Sequence, residues 1–142
     1  MTTVRQLLAD KPDRIIHVGP DVPVLEAIKL MALESVGAVL VMDSGRLCGI
    51  LSERDYARKV ILLGRASADT PVREIMTAEV VTVTPGQTAQ ACMELMTEGR
   101  FRHLPVVDGD RVVGVISIGD LVKAVIEEQR QEIDQLQRFI TS

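Results

Sequence analysis

Two stretches decide the fold: Gly49-Ile50-Leu51-Ser52-Glu53-Arg54-Asp55 and Gly114-Val115-Ile116-Ser117-Ile118-Gly119-Asp120. Both read Gly-hydrophobic-hydrophobic-Ser-x-x-Asp, and they lie 65 residues apart. An apolar run that meets a Ser three residues ahead of an acid is a strand ending in a helix start, with Ser and acid capping the first turn reciprocally. Working outward at the same offset, Val18 matches Val83, Pro20 matches Pro85, Leu30 and Met31 match Leu95 and Met96, Val41 matches Val106, and Arg46 matches Arg111, all without a gap. Self-similarity this regular marks an internal duplication. Further upstream, Val4-Arg5-Gln6-Leu7-Leu8 echoes Val72-Arg73-Glu74-Ile75-Met76 at an offset of 68, so the first copy carries three additional residues around Ala9 to Arg14. Each copy therefore reads short helix, strand, helix, strand, strand, helix.

The periodicities agree with that order. Ile15, Ile16 and Val18 form an apolar run before a Pro-Asp-Val-Pro break, after which Val24, Leu25, Ile28, Met31 and Ala32 recur at helical spacing. Val39 to Met42 and Leu47 to Leu51 flank the turn signal Asp43-Ser44-Gly45-Arg46, a hairpin pattern that Leu104 to Val107, Asp108 to Arg111 and Val112 to Ile116 repeat. Gly64 and residues 65–71 read as the linker between copies, with Thr70-Pro71 placed to cap the next short helix. One copy holds too few strands to close a core alone, so the two copies are expected to pack around a pseudo-two-fold axis and leave a cleft. The expected boundaries are 1–65 for the first repeat with its N-terminal helix, 66–126 for the second, and 127–142 for a helical extension. The final helix spans about Gly119 to Ile140, and Val122, Ile126, Gln129, Ile133, Leu136 and Ile140 form a seam at alternating spacings of four and three. That seam covers either its own domain or a second subunit.

Composition removes several function classes. The 142 residues carry 16 basic and 20 acidic side chains, a formal charge of −4, and only 2% aromatics. Nucleic-acid binding calls for basic patches and stacking rings, so it is not expected. No apolar run is long enough for a membrane span or a signal peptide, and a cytoplasmic protein is the expectation. The repeat also judges single residues: Cys48 and Cys92 align with Val113 and Ala27, which marks both thiols as packing. His17 and His103 lack the ligand spacing of a metal site, and no nucleophile stands beside a base in any recognisable motif. No metal and no catalytic residue is therefore expected.

The repeated junction itself can bind. A helix N-terminus presents free N–H groups to a phosphate, Ser can donate to the same group, and a carboxylate one turn in can accept from vicinal hydroxyls. Phosphate and diol together describe a nucleotide. Capping alone explains the same residues without any ligand and contributes about 1 kcal/mol per helix, so a constitutive structural dimer or scaffold stands as the alternative.

The repeat, the two Gly-x-x-Ser-x-x-Asp junctions and Arg100-Phe101-Arg102-His103-Leu104-Pro105-Val106-Val107-Asp108 together resemble a tandem pair of CBS domains, a Bateman module, over residues 4–126. The run from Ser52 to Lys59 is similar to that of stand-alone bacterial members. The resemblance implies a mixed α/β (α+β) fold of two β-α-β-β-α repeats, often dimerised again, that senses an adenosine ligand and passes a conformational change to an effector protein. AMP is the first candidate, with ATP, NAD or S-adenosylmethionine as alternatives. Carried over by position, Asp55 and Asp120 hold ribose hydroxyls, Ser52 and Ser117 meet phosphate or ribose oxygens, and Arg102 and His103 reach the phosphates. Val83, Thr84 and Pro85 are expected to line the Asp55 pocket, and His17 and Val18 the Asp120 pocket. Gly37 and Ala38 stand where the second copy has Arg102 and His103, so one well-formed site is expected rather than two. Arg54, Arg58 and Lys59 offer further phosphate charge near the first junction, opposed by Glu53.

Overall fold

The computed structural model describes residues 1–141. Helix α1 (Val4–Ala9) leads to strand β1 (His17–Val18), helix α2 (Val24–Glu34), strands β2 (Ala38–Asp43) and β3 (Arg46–Ser52), and helix α3 (Glu53–Tyr56), which continues as a π turn over Ala57–Ile61. A single 3₁₀ turn, Val72–Glu74, opens the second half, followed by helix α4 (Ala89–Gly99), strands β4 (His103–Asp108) and β5 (Arg111–Ser117), and helix α5 (Ile118–Thr141). The duplication holds to the level of single bonds. In β2–β3, Val41 pairs with Gly49 and the register slips between Val41 and Met42; in β4–β5, Val106 pairs with Gly114 and slips between Val106 and Val107.

One expected strand is missing from the second half, and Pro105 is the reason. Parallel pairing of β1 with β2 uses the Leu40 N–H, which donates to Ile16. Pro105 occupies the equivalent position and has no N–H to give. The pairing there shrinks to one bridge, Val83 with Val106, held by Val83 N–H to Pro105 and Val107 N–H to Val83.

The chain also divides into two compact units, cut differently from the sequence repeats. One is the continuous stretch Arg14–Val81; the other joins Met1–Asp13 to the chain from Thr82 onward. Helix α1 therefore belongs with the second hairpin, and the 3₁₀ turn with the first. Both short elements dock through equivalent backbone bonds. In the composite unit, Val4 and Arg5 donate to Gln87 and Pro85 while Ala89 donates to Thr2; in the continuous unit, Val72 and Arg73 donate to Val22 and Pro20 while Val24 donates to Thr70, all at 2.8–2.9 Å. Thr70 is thus not the side-chain cap that its position before Pro71 predicts. Its hydroxyl is buried and donates to the Ala66 carbonyl at 2.7 Å, tightening the linker.

This docking fills each core. Val4 joins Val83, Ala89, Cys92, Met96, Leu104, Val106, Ile116 and Leu121, whereas Val72 and Ile75 join Val24, Ala27, Met31, Val39, Val41, Leu51 and Val60. The short elements lie so close over the hairpins that only glycine fits beneath them. A Cβ at Gly114 would stand 2.5 Å from Leu8 Cδ2, and one at Gly49 would stand 2.5 Å from Met76 Sδ and 3.1 Å from the Thr77 carbonyl oxygen. A leucine methyl can swing aside more readily than a backbone carbonyl. Gly49→Ala is therefore expected to cost about 1–3 kcal/mol through overpacking, and Gly114→Ala less. Urea unfolding of the two variants ranks them.

Candidate functional site

Each hairpin delivers its Ser-x-x-Asp motif to the first turn of the following helix. In the composite unit, the Asp120 N–H donates to Ser117 Oγ at 3.2 Å and the Ser117 N–H donates to Asp120 Oδ2 at 2.9 Å. In the continuous unit, the Asp55 N–H donates to Ser52 Oγ at 3.2 Å, and both the N–H and the hydroxyl of Ser52 donate to Asp55 Oδ2, at 2.9 and 3.0 Å. The capping reading of these residues is correct in both copies. It leaves both carboxylates partly accessible at a helix start.

The opening of the first strand of each hairpin decides what lies beside that start. His103 pairs with Ser117 across β4–β5, and the Ile118 N–H donates to the Arg102 carbonyl at 2.8 Å, so the expected basic pair lies beside the Ser117–Asp120 junction. Arg102 is exposed and His103 is half-buried. At the corresponding places in the continuous unit, Ala38 pairs with Ser52 and the Glu53 N–H donates to the Gly37 carbonyl. The two junctions share a backbone and differ in charge, and only the composite unit backs its junction with a helix of several turns.

A lysine answers each carboxylate, and the two lysines are not repeat partners. Lys59 Nζ lies 3.3 Å from Asp55 Oδ1, one helical turn away, and also donates to the Ile75 carbonyl. Helical spacing made that pair legible; the sequence reading instead treated Lys59 as a phosphate ligand. Lys11 Nζ lies 2.7 Å from Asp120 Oδ2 and 2.9 Å from the Val115 carbonyl. Lys11 was missed altogether, and its one signal was its place among the three residues that the first copy adds. Burial alone would push the Asp120 carboxyl up, but the hydrogen bonds from Lys11 and Ser117 and the Lys11 charge outweigh it and hold the group below its ordinary value.

The remaining expected residues divide between the units. His17 is exposed and Val18 half-buried on β1, in the same unit as Asp55, with Arg54 and Arg58 exposed on α3 and the π turn. Val83 and Pro85 are buried and Thr84 is exposed, in the same unit as Asp120; the Pro85 carbonyl already accepts from Arg5. Burial pushes the Cys48 thiol up, aided by the Asp43 charge, and burial pushes up the Cys92 thiol, so both favour the protonated, unreactive form. Among the described residues, no group of three His, Cys, Asp or Glu side chains is placed to hold a metal. Among the described residues, no helix is long and apolar enough to cross a membrane.

The depressed Asp120 value carries a sign. A carboxylate whose folded value lies below its unfolded one stabilises the fold above the unfolded value, about 3.9, and that contribution disappears as pH falls through the folded value. Asp120→Asn is therefore expected to unfold with a shallower loss of stability between about pH 4 and pH 2 than wild type. Denaturant titrations across that range check it.

The CBS domain model matches residues 4–61 and 72–127. A solved protein with CBS domains from Burkholderia ambifaria is 54% identical, with a TM-score of 0.87 over 90% of this chain and 96% of that one. The mitochondrial CBS domain-containing protein CBSX3 of Arabidopsis thaliana is 44% identical over 125 residues, 84% of this chain but 61% of its own length, so this chain spans about three fifths of that relative. The CBS domain pair of protein MJ0100, solved in complex with 5′-methylthioadenosine and S-adenosylmethionine, is 25% identical, with a TM-score of 0.80 over 90% of this chain and 98% of that one.

Proposed function

The chain belongs to the CBS-domain family, of which it carries a tandem pair, and on that premise we propose that it senses an adenosine-derived ligand, with AMP the first candidate. The observation that carries this reading is the Ser117–Asp120 helix start with Arg102 and His103 beside it. The positive dipole end of α5 suits a phosphate. Asp120 suits the ribose hydroxyls, and Arg102 and His103 add charge for a single phosphate. The adenosyl class gains support from the MJ0100 pair, whose two ligands share an adenosine and lack a phosphate. ATP, NAD and S-adenosylmethionine are the competing ligands. The Ser52–Asp55 junction, with Gly37 and Ala38 where the other has Arg102 and His103, is the weaker site.

Binding, not catalysis, is the proposed activity, and it acts by population shift: a ligand moves the protein toward whichever arrangement it binds more tightly. Helix α5 is the proposed output. Its root is fixed by buried Leu121, while Val122, Ile126, Ile133, Leu136, Phe139 and Ile140 stay exposed along its length. A second copy or an effector protein in the cytoplasm is the proposed cover for that stripe. The rival reading, a ligand-independent scaffold, draws on the completeness of both capping boxes.

Calorimetry with AMP, ATP, NAD and S-adenosylmethionine separates the readings. AMP is expected to bind, Asp120→Ala to weaken it by about 1–3 kcal/mol, and Asp55→Ala to weaken it less. Absence of binding by all four at millimolar concentration overturns the sensor. A lowered melting temperature in Asp120→Ala with no ligand effect to lose supports the scaffold.

A further inference from the structure

The Lys11 contact is asymmetric in a way the duplication does not require. In the continuous unit, Ile50 and Thr77 exchange two backbone bonds, Ile50 N–H to Thr77 at 3.0 Å and Thr77 N–H to Ile50 at 2.9 Å. Val115 is the repeat partner of Ile50, and its carbonyl is met by the Lys11 ammonium instead, at 2.9 Å. A fixed backbone link in one unit is thus a flexible side-chain link in the other. The same ammonium sits on Asp120 Oδ2, where the Ser117 N–H also donates. A carboxylate oxygen offers about two lone-pair positions, and both on Oδ2 are filled.

A vicinal diol that grips the carboxylate across both of its oxygens must therefore displace one of these two donors. The Ser117 N–H is fixed by the strand-to-helix junction. Lys11 hangs on a four-carbon stem, and about a third of its side chain is exposed, so it is the donor that can leave. The other end of the same segment is tied independently: the Thr2 N–H donates to Glu128 Oε1 at 2.6 Å, and Val4 and Arg5 are bound through their backbones.

Resting on the sensor reading above, we infer that Lys11 is a latch: its ammonium competes with the ligand's hydroxyls for Asp120, so that filling this site frees residues 10–13 while α1 stays docked. Ligand occupancy is thereby written into the order of a segment far from it in sequence, and the latch lowers the site's affinity until it opens.

5′-Methylthioadenosine is the probe for the test, because it is uncharged and its own binding has no direct dependence on salt. Lys11→Met is expected to bind it about two- to five-fold more tightly than wild type, the range set by a partly exposed ion pair. Lys11→Arg, which keeps a cation, should bind like wild type. Wild-type affinity should rise between low and high salt as the latch is screened, and Lys11→Met should lose that dependence; hydrogen exchange at the amides of Asp10, Lys11 and Asp13 should quicken when the probe is bound to wild type. Equal or weaker binding by Lys11→Met, or wild-type affinity indifferent to salt, overturns the latch. In either of those cases, weaker binding by Asp120→Ala than by wild type leaves the sensor standing. Failure of the probe to bind both wild type and Lys11→Met overturns the latch, while the sensor stands or falls on calorimetry with AMP, ATP, NAD and S-adenosylmethionine.

Discussion

A two-stranded hairpin with one helix behind it leaves an apolar face open, and everything else in this protein follows from how that face is covered. The cover is a short element of one or two turns lying directly over a glycine of the hairpin, Leu8 over Gly114 and Met76 over Gly49. A side chain at Gly49 would press on the Thr77 backbone and hold the cover away from the sheet above fully buried Val72, whereas at Gly114 it would push the Leu8 side chain aside. The glycines are thus a packing requirement first. They also bring the end of α1, and with it Lys11, to the β5–α5 junction.

That arrangement explains what the sequence made legible and what it hid. The offset of 65 residues foretold two equivalent hairpins, and they match down to the slip after Val41 and Val106, because pairing, turn and bulge are all local and local residues encode them. The Ser-x-x-Asp motifs were legible for the same reason, since a capping box closes within one turn. The destination of α1 was not legible. Amphipathic spacing says that Val4, Leu7 and Leu8 share a face and says nothing about which hairpin that face meets, so the helix was placed with the nearer repeat. Lys11 was hidden for a related reason: the repeat logic that found Asp120 compares equivalent positions, and Lys11 lies in residues that have no equivalent. Pro105 stood in plain sight, and its lack of an N–H was enough to shorten the second β1 counterpart to a bridge.

The two junctions also show how a duplicated site diverges without moving its backbone. Ala38 and His103 sit opposite Ser52 and Ser117 in the same register, and each acid meets a lysine, yet the lysines come from different parts of the chain. Lys59 reaches Asp55 within one helix, so that pair tracks α3 itself. Lys11 reaches Asp120 across 109 residues of sequence, so that pair reports on the union of two distant segments. An identical acid in an identical cap is local in one unit and long-range in the other.

The discontinuity of the composite unit has a consequence for how the protein is made. Residues 14–81 can finish their core as soon as they leave the ribosome, since every element of that unit is contiguous. Helix α1 emerges before them and has nothing to dock on: Val4 waits for Gln87, and Lys11 waits for Val115 and Asp120. The entropic charge for closing so long a loop grows only slowly with its length, but the waiting time grows with every residue translated. A segment synthesised ahead of residues 14–81 finds its place only after them, and a nascent chain stalled near residue 81 would carry one finished unit and one unclaimed amphipathic helix.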